Sequence, residues 1–434
     1  MQQIVPMSEA RGRRSRVVFA MVLLASAAGC SKPQQQEAEQ TATEQAPAPL
    51  KEIKLGQTMP YSGPASAYGT IGRVEVAYFK MLNEQGGVNG RKISLLSEDD
   101  GYNPAKTVEQ TRKLVEQDDV LLLFQSLGTP CNSATQKYLN AKKVPQLFIS
   151  TGATKWGDPK NYPWTMAFNP SYQLEARTYA TYIKEHQPKA KIGVLYQNDD
   201  FGKDYLTGLR EGLGDKASMI VKEVSYETTD ATIDSQLATL QASGADTFFN
   251  VSTPKFAAQA IRRAYDSGWK PVQYLANVSG SVGSVLKPAG LDKATGVITT
   301  TYLKDPNDKQ WDQDPGMKEY KAFMAKYYPE GDLNDANNIY AYAAAQTMVQ
   351  VLKQCGDDLS RDNVMKQAAS LKDYAPNVVL PGIKINTSPD DYFPFDTMQL
   401  AKFNGTMYEL VAPQQQATAA PAPTEATAQG AATH

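Results

Sequence analysis

Histidine is nearly missing from this chain: two residues, His186 and His434, in 434. With one on a polar helical stretch and the other at the last position, a histidine-based catalytic triad or a histidine-rich metal site is hard to assemble. Cysteine is almost as scarce, at three residues, and their spacing matches no zinc pattern. No nucleophile elbow, phosphate-binding loop or dinucleotide fingerprint is present, which removes the common motif-bearing enzyme classes and any expected cofactor or metal. Asp99-Asp100 and Asp199-Asp200 resemble acid/base pairs, but adjacent carboxylates at strand ends more commonly solvate loops or cap helices. A block of like charge is also lacking. The formal net charge is −2, which argues against an electrostatic grip on nucleic acid or anionic lipid.

Long apolar runs are few. Arg11, Arg13, Arg14 and Arg16 precede the apolar segment 17–28, which is too short to span a bilayer and has the layout of a secretory signal. The sequence Ala27-Ala28-Gly29-Cys30 resembles the lipobox of bacterial lipoproteins, which implies cleavage before Cys30, acylation of its thiol and tethering to a membrane. An ordinary secreted protein with a cysteine at that place is the alternative. Residues 30–50, rich in Gln, Glu, Thr, Ala and Pro, read as a disordered tether, and residues 413–434 as a disordered tail.

The remaining core, about 51–412, is long for one domain and suits two. Short β-like runs alternate with amphipathic stretches, the pattern of parallel α/β units. Strands are expected at 53–56, 92–96, 120–124 and 146–149, then at 192–196, 219–224, 247–251 and 272–275, forming two separate sheets. Gly86-Gly87 should close the first helix, and Asn103-Pro104 should open the second. Ligands of open parallel sheets bind beyond the C-terminal strand ends. The loops there, 60–68, 125–132, 150–156, 198–201, 252–255 and 276–281, are rich in Ser, Thr, Gly, Asn and aromatics.

Met59-Pro60-Tyr61-Ser62-Gly63-Pro64, the run from Asn83 to Gly90, Asp99-Asp100, Asn198-Asp199-Asp200-Phe201-Gly202 and the run from Ala264 to Gly268 occur in this order along the chain. Together they resemble the type I periplasmic binding proteins, in particular the leucine/isoleucine/valine-binding receptors of ABC transporters, over nearly all of 51–412. The resemblance implies an α/β fold of two Rossmann-like lobes joined by a three-crossing hinge. Crossings are expected near 168–170, 300–304 and 395–400. One lobe would then hold 51–168 with 303–395, and the other 170–300 with 396–412. It also implies an exported monomer that traps a small molecule and presents its closed form to a membrane permease.

Ser150 to Thr154 follow a buried strand, so their hydroxyls and backbone N–H groups can converge on an anion. By resemblance Thr154 and Gly152 match the carboxylate-holding loop, and Ser126 is a second hydroxyl candidate; the same groups could instead cap a helix or satisfy a turn. Tyr68 and Phe201 match cleft-wall aromatics, one from each lobe. Trp156 is a further candidate, balanced against plain core packing. Where amino-acid receptors hold the ligand ammonium with an acidic residue and a tyrosine, this chain has Asn277-Val278-Ser279 and Ser252-Thr253. An ammonium there would lose its charge partner, at a cost of several kcal/mol. A carboxylate with an aromatic or branched apolar body is therefore expected, with a branched-chain amino acid or a ligand-sensing role on the same fold as alternatives. Cys131 and Cys355 fall at opposite ends of their helices, which favours two buried thiols over a disulfide.

Overall fold

A computed structural model describes residues 51–411. The signal, Cys30, the tether and the tail lie outside the described residues. Among the described residues no helix is long and apolar enough to cross a membrane.

The first sheet is built from β1 (Ile53–Met59), α1 (Thr70–Glu84), β2 (Ile93–Asp99), α2 (Pro104–Glu116), β3 (Leu122–Phe124), α3 (Thr129–Ala141), β4 (Gln146–Ile149) and β5 (Thr165–Ala167). Its order is β2-β1-β3-β4-β5, with every pairing parallel. All residues of β3 and β4 are buried, as expected of strands covered on both faces. Local punctuation is direct. Asn103 Oδ1 accepts from the backbone N–H groups of Ala105 and Lys106, and Pro104 stands at the first helical position of α2, where its missing N–H costs nothing. Gly86 and Gly87 take positive φ after α1, a conformation other residues adopt only with strain.

The second sheet contains α4 (Tyr172–His186), β6 (Ile192–Gln197), α5 (Asp200–Leu213), β7 (Ile220–Tyr226), α6 (Asp234–Ala242), β8 (Thr247–Val251), α7 (Pro254–Asp266) and β9 (Val272–Leu275). The short helices α8 (Lys287–Ala289) and α9 (Leu291–Ala294) then lead into β10 (Ile298–Thr301). The chain next supplies α10 (Pro315–Tyr327), α11 (Ala336–Cys355) and α12 (Arg361–Ala368), which pack in one core with β1 and β3 of the first sheet. It closes with β11 (Gln399–Phe403) and β12 (Tyr408–Leu410), extending the second sheet to the order β12-β11-β10-β9-β8-β6-β7. The last two strands are antiparallel.

Three passages therefore join two α/β lobes: Phe168 to Ser171, the segment after Thr301, and the stretch from Phe395 into β11. The second passage is tied to the first lobe by the bridge between Leu303 and Val379.

The strands differ from the sequence expectation mainly at their ends. β1 runs on to Met59 and β2 to Asp99, because the two pair in continuous parallel register over seven residues. β3 starts at Leu122, two residues late. β5, β10 and β12 are only three or four residues long, and Ile298-Thr299-Thr300-Thr301 carries too little apolar patterning to announce a strand. Cys131 and Cys355 are both buried free thiols.

Candidate functional site

Between the lobes lies a cavity with about 140 Å³ of space open to the centre of a water molecule. First-turn or capping residues of five helices reach it: Thr129 of α3, Tyr172 of α4, Phe201 of α5, Thr253 before α7, and Ala336 of α11. Strand C-termini and helix N-termini thus point at one space, where helix dipoles favour negative charge.

The polar wall is organised around Tyr340 on α11. Its hydroxyl lies 2.7 Å from Asn169 Oδ1, 3.0 Å from Ser150 Oγ and 3.1 Å from Gln125 Oε1, and burial pushes its pKa up. The backbone beneath is irregular. Gln125 has φ of 55° and Phe148, inside β4, φ of 52°, while the register of β4 on β5 shifts between Gln146 and Ile149. Bulges of this kind re-aim side chains beside binding sites, and here Ser150 faces the cavity.

Three of the residues singled out from the sequence line the cavity: Tyr68 and Phe201, which belong to the cores of opposite lobes, and Asn277. The other four stand behind its wall. Ser126 Oγ accepts from Thr58 N at 3.1 Å, joining the strand ends of β1 and β3. Gly152 accepts from Tyr172 N at 2.8 Å through its carbonyl and sits against the Pro170 carbonyl, with no room for a side chain. Thr154 donates its N–H to Asp204 Oδ2 at 2.6 Å and pairs its hydroxyl with Ser171 Oγ at 3.2 Å. Trp156 is fully buried and donates from Nε1 to Thr151 Oγ1 at 3.3 Å. Thr154 to Gly157 form a 3₁₀ turn. That turn ties the peptide and hydroxyl of Thr154 into the wall.

Sequence reasoning passed over Thr129, Asn169, Tyr172, Tyr302 and Tyr340, all on the lining. Thr129-Pro130 after Gly128 is a helix-opening signal that could have found the first; Tyr302 and Tyr340 carry no local signal. Glu175 was also passed over. It is buried in the first turn of α4, with Oε1 accepting from Tyr179 Oη and Asn277 N, both at 2.8 Å, and Oε2 from Tyr205 Oη at 2.6 Å. Burial raises its pKa against those three donors. A carboxylate therefore does stand behind Asn277, but its oxygens are already engaged by the protein.

The lobes touch across the cleft. Gly283 N donates to Asn334 O at 2.8 Å, Gln197 Nε2 lies 3.4 Å from Tyr102 Oη, and the Ser281 hydroxyl meets the Asp335 carboxylate. Two parallel-sheet lobes closed over a cavity rimmed by helix N-termini define a solute-binding protein of the hinged, two-lobed class. The family model described as periplasmic binding protein matches residues 52–407, and the chain belongs to that family.

Among its relatives, the Leu/Ile/Val-binding protein homolog 1 of Brucella abortus (strain 2308) is 25% identical over 350 residues, covering 79% of this chain and 88% of the relative. The leucine-specific-binding protein of Salmonella typhimurium is 23% identical over 321 residues, covering 72% and 82%. In fold, the chain is similar to a branched chain amino acid ABC transporter protein from Thermus thermophilus with bound valine. That match has a TM-score of 0.75 at 18% identity and covers 83% of this chain and 95% of the other. A substrate-binding periplasmic protein from Ralstonia solanacearum gives 0.75 at 24% identity, covering 83% and 100%.

Proposed function

We propose that the protein is the extracytoplasmic receptor of an ABC importer, and that it captures a small organic carboxylate with an apolar or aromatic body by closing its lobes. The observation that carries this reading is the convergence of five helix N-termini on one cavity whose wall also carries aromatic rings such as Tyr68, Phe201 and Trp311. The helix ends and hydroxyls of Thr129 and Ser150 suit a carboxylate. Tyr68 and Phe201 suit its body. Ligand contacts to both lobes favour the closed form, which the permease recognises; no chemical step is needed.

On this reading the lobes comprise 51–168 with 303–395 and 170–300 with 396–412. Cys30 carries a lipid that holds a monomeric receptor near its permease through the segment 30–50. Gly152, Thr154, Ser126 and Trp156 serve the ligand from behind the cavity wall.

A branched-chain amino acid is the second reading. It is favoured by the names of the relatives and by Glu175, whose carboxylate lies one hydrogen bond behind Asn277. A ligand-sensing role would use the same cleft, with a regulatory partner in place of the permease.

Titration calorimetry with benzoate, 3-methylbutanoate, leucine and valine separates the ligand readings. Tight binding of either acid with weak response to the amino acids is expected. Tight leucine binding without response to the acids would transfer the assignment to the amino-acid reading, and silence toward all four would overturn both.

A further inference from the structure

Six tyrosines line the cavity, and three of them spend their hydroxyls in hydrogen bonds to the protein. Tyr340 Oη lies within hydrogen-bond distance of Gln125, Ser150 and Asn169, Tyr172 Oη donates to Thr151 Oγ1 at 3.3 Å, Tyr102 Oη receives Gln197, and Tyr68 stands beside Ser279. Tyr302 is different. Its ring is 2% exposed and packs 4.8 Å from Phe395 between centroids, its carbonyl accepts from Leu380 N at 3.0 Å, and its hydroxyl has no hydrogen-bond partner among the described residues. It stands directly after β10, on the second passage between the lobes.

The cavity lining also includes Lys304, Asp305 and Asp308 from that passage and Tyr408 from β12. Tyr408 Oη is likewise buried without a partner. Lys304 is committed to Asp314 at 2.8 Å and to the Asn377 carbonyl at 2.9 Å, so no free cation waits there. With these two carboxylates on the lining, a second anionic group is disfavoured, whereas a neutral hydroxyl is welcome.

We propose that the ligand carries a neutral hydroxyl on its body, and that Tyr302 is the residue that reads it. This rests on the carboxylate reading above and narrows it to hydroxylated acids. A purely apolar body filling the space would strip water from a phenol that has no other partner, and buried unpaired polar groups are costly; a hydroxyl both donates and accepts and restores the lost bond. Sites built to hydrogen-bond a ligand hydroxyl discriminate strongly against the analogue lacking it. Because Tyr302 belongs to the passage between the lobes, the same bond would favour the closed form.

The test is calorimetry on matched acids: benzoate against its 3- and 4-hydroxy derivatives, and 3-methylbutanoate against 3-hydroxy-3-methylbutanoate. In the wild-type protein at least one hydroxylated acid should bind roughly tenfold or more tightly than its parent. Tyr302→Phe should erase that ratio while leaving the parent acid within about twofold and the unfolding midpoint in place, since no protein group uses the hydroxyl. Parents that bind as well as their hydroxylated partners overturn the proposal in the wild-type protein alone. So does a preference that survives Tyr302→Phe. If no acid of either kind binds, the carboxylate reading itself falls and takes this one with it.

Discussion

Ser281 Oγ donates a 2.9 Å hydrogen bond to Asp335 Oδ1, joining a residue that opens a helical turn of the second lobe to the N-cap of α11 on the first. The same carboxylate accepts from Ser284 Oγ at 3.1 Å and from Asn337 N at 3.1 Å, and Ser281 Oγ receives Ala336 N at 3.2 Å. Cross-cleft bonds exist only while the lobes are shut, so this cluster biases the closed form.

Ser281→Ala removes the cross-lobe bonds to Asp335 and Ala336 together with the bond Ser281 Oγ accepts from Ser284 N, and leaves the Asp335 cap of α11 in place. Affinity for the acid selected by calorimetry should fall by roughly 3- to 10-fold, about one hydrogen bond's net contribution, and the change should reside in dissociation. Stopped-flow displacement measures it. An unchanged dissociation rate would remove the latch role.

Ser150→Ala takes a hydroxyl from the cavity wall and from the Tyr340 cluster, whereas Thr154→Ala takes one that pairs with Ser171 behind it. Affinity should drop about tenfold in the first variant and by less than about threefold in the second. A larger loss for Thr154→Ala would return that hydroxyl to the ligand.

Gly152→Ala places a carbon 2.3 Å from the Pro170 carbonyl and 2.8 Å from the Tyr172 ring. Backbone on the first passage would have to move, and urea unfolding should report a loss of about 1–3 kcal/mol. Wild-type stability in this variant would mean that the passage is slack.

Asp199 caps α5 through the N–H groups of Phe201 and Gly202, and burial outweighs those bonds, raising its pKa from 3.8 to about 6. A carboxyl raised in the folded state contributes stability that is full below about pH 4 and lost as pH climbs through about 6. Asp199→Asn keeps a capping side chain but does not titrate. Between pH 4 and pH 7 it should therefore gain stability relative to wild type, by roughly 1–2 kcal/mol once residual exposure is discounted. Urea unfolding at both pH values checks this; a constant difference would contradict it.

Cys131 and Cys355 are 0% and 5% exposed, and burial raises both thiols, that of Cys355 to about 11. Alkylation followed by mass measurement should leave both unmodified in the native protein and label both after denaturation without reductant. A label that requires reductant would mean a disulfide.

The lobed α/β architecture was legible because buried parallel strands leave continuous apolar runs such as Leu122-Leu123-Phe124 and Gln146-Leu147-Phe148-Ile149 between helical stretches. Tyr68, Phe201 and Asn277 were legible because they sit in loops just past strand ends. Of the hydroxyls in these loops, Ser150 and Thr129 line the cavity, whereas the two singled out, Thr154 and Ser126, stand behind it. Strand periodicity cannot register the bulge at Phe148, and an irregularity of one residue changes which side chains face the cleft. Glu175 and Tyr340 were out of reach for another reason: each meets its partners across a large sequence distance, 102 residues between Glu175 and Asn277 and 190 between Tyr340 and Ser150.

The return of α11 to the first lobe sets an order of assembly. Thr70 at the start of α1 bonds Asn338 near the start of α11, 268 positions later. As the chain is synthesised, the first strands emerge early, yet the helix that shields their apolar face arrives only after β6 to β10 of the other lobe have been made. The core of the lobe begun first therefore waits for a distant segment, and contacts so far apart in sequence close late. That delay suits a polypeptide bound for export, because it keeps the leading half threadable until most of its length exists.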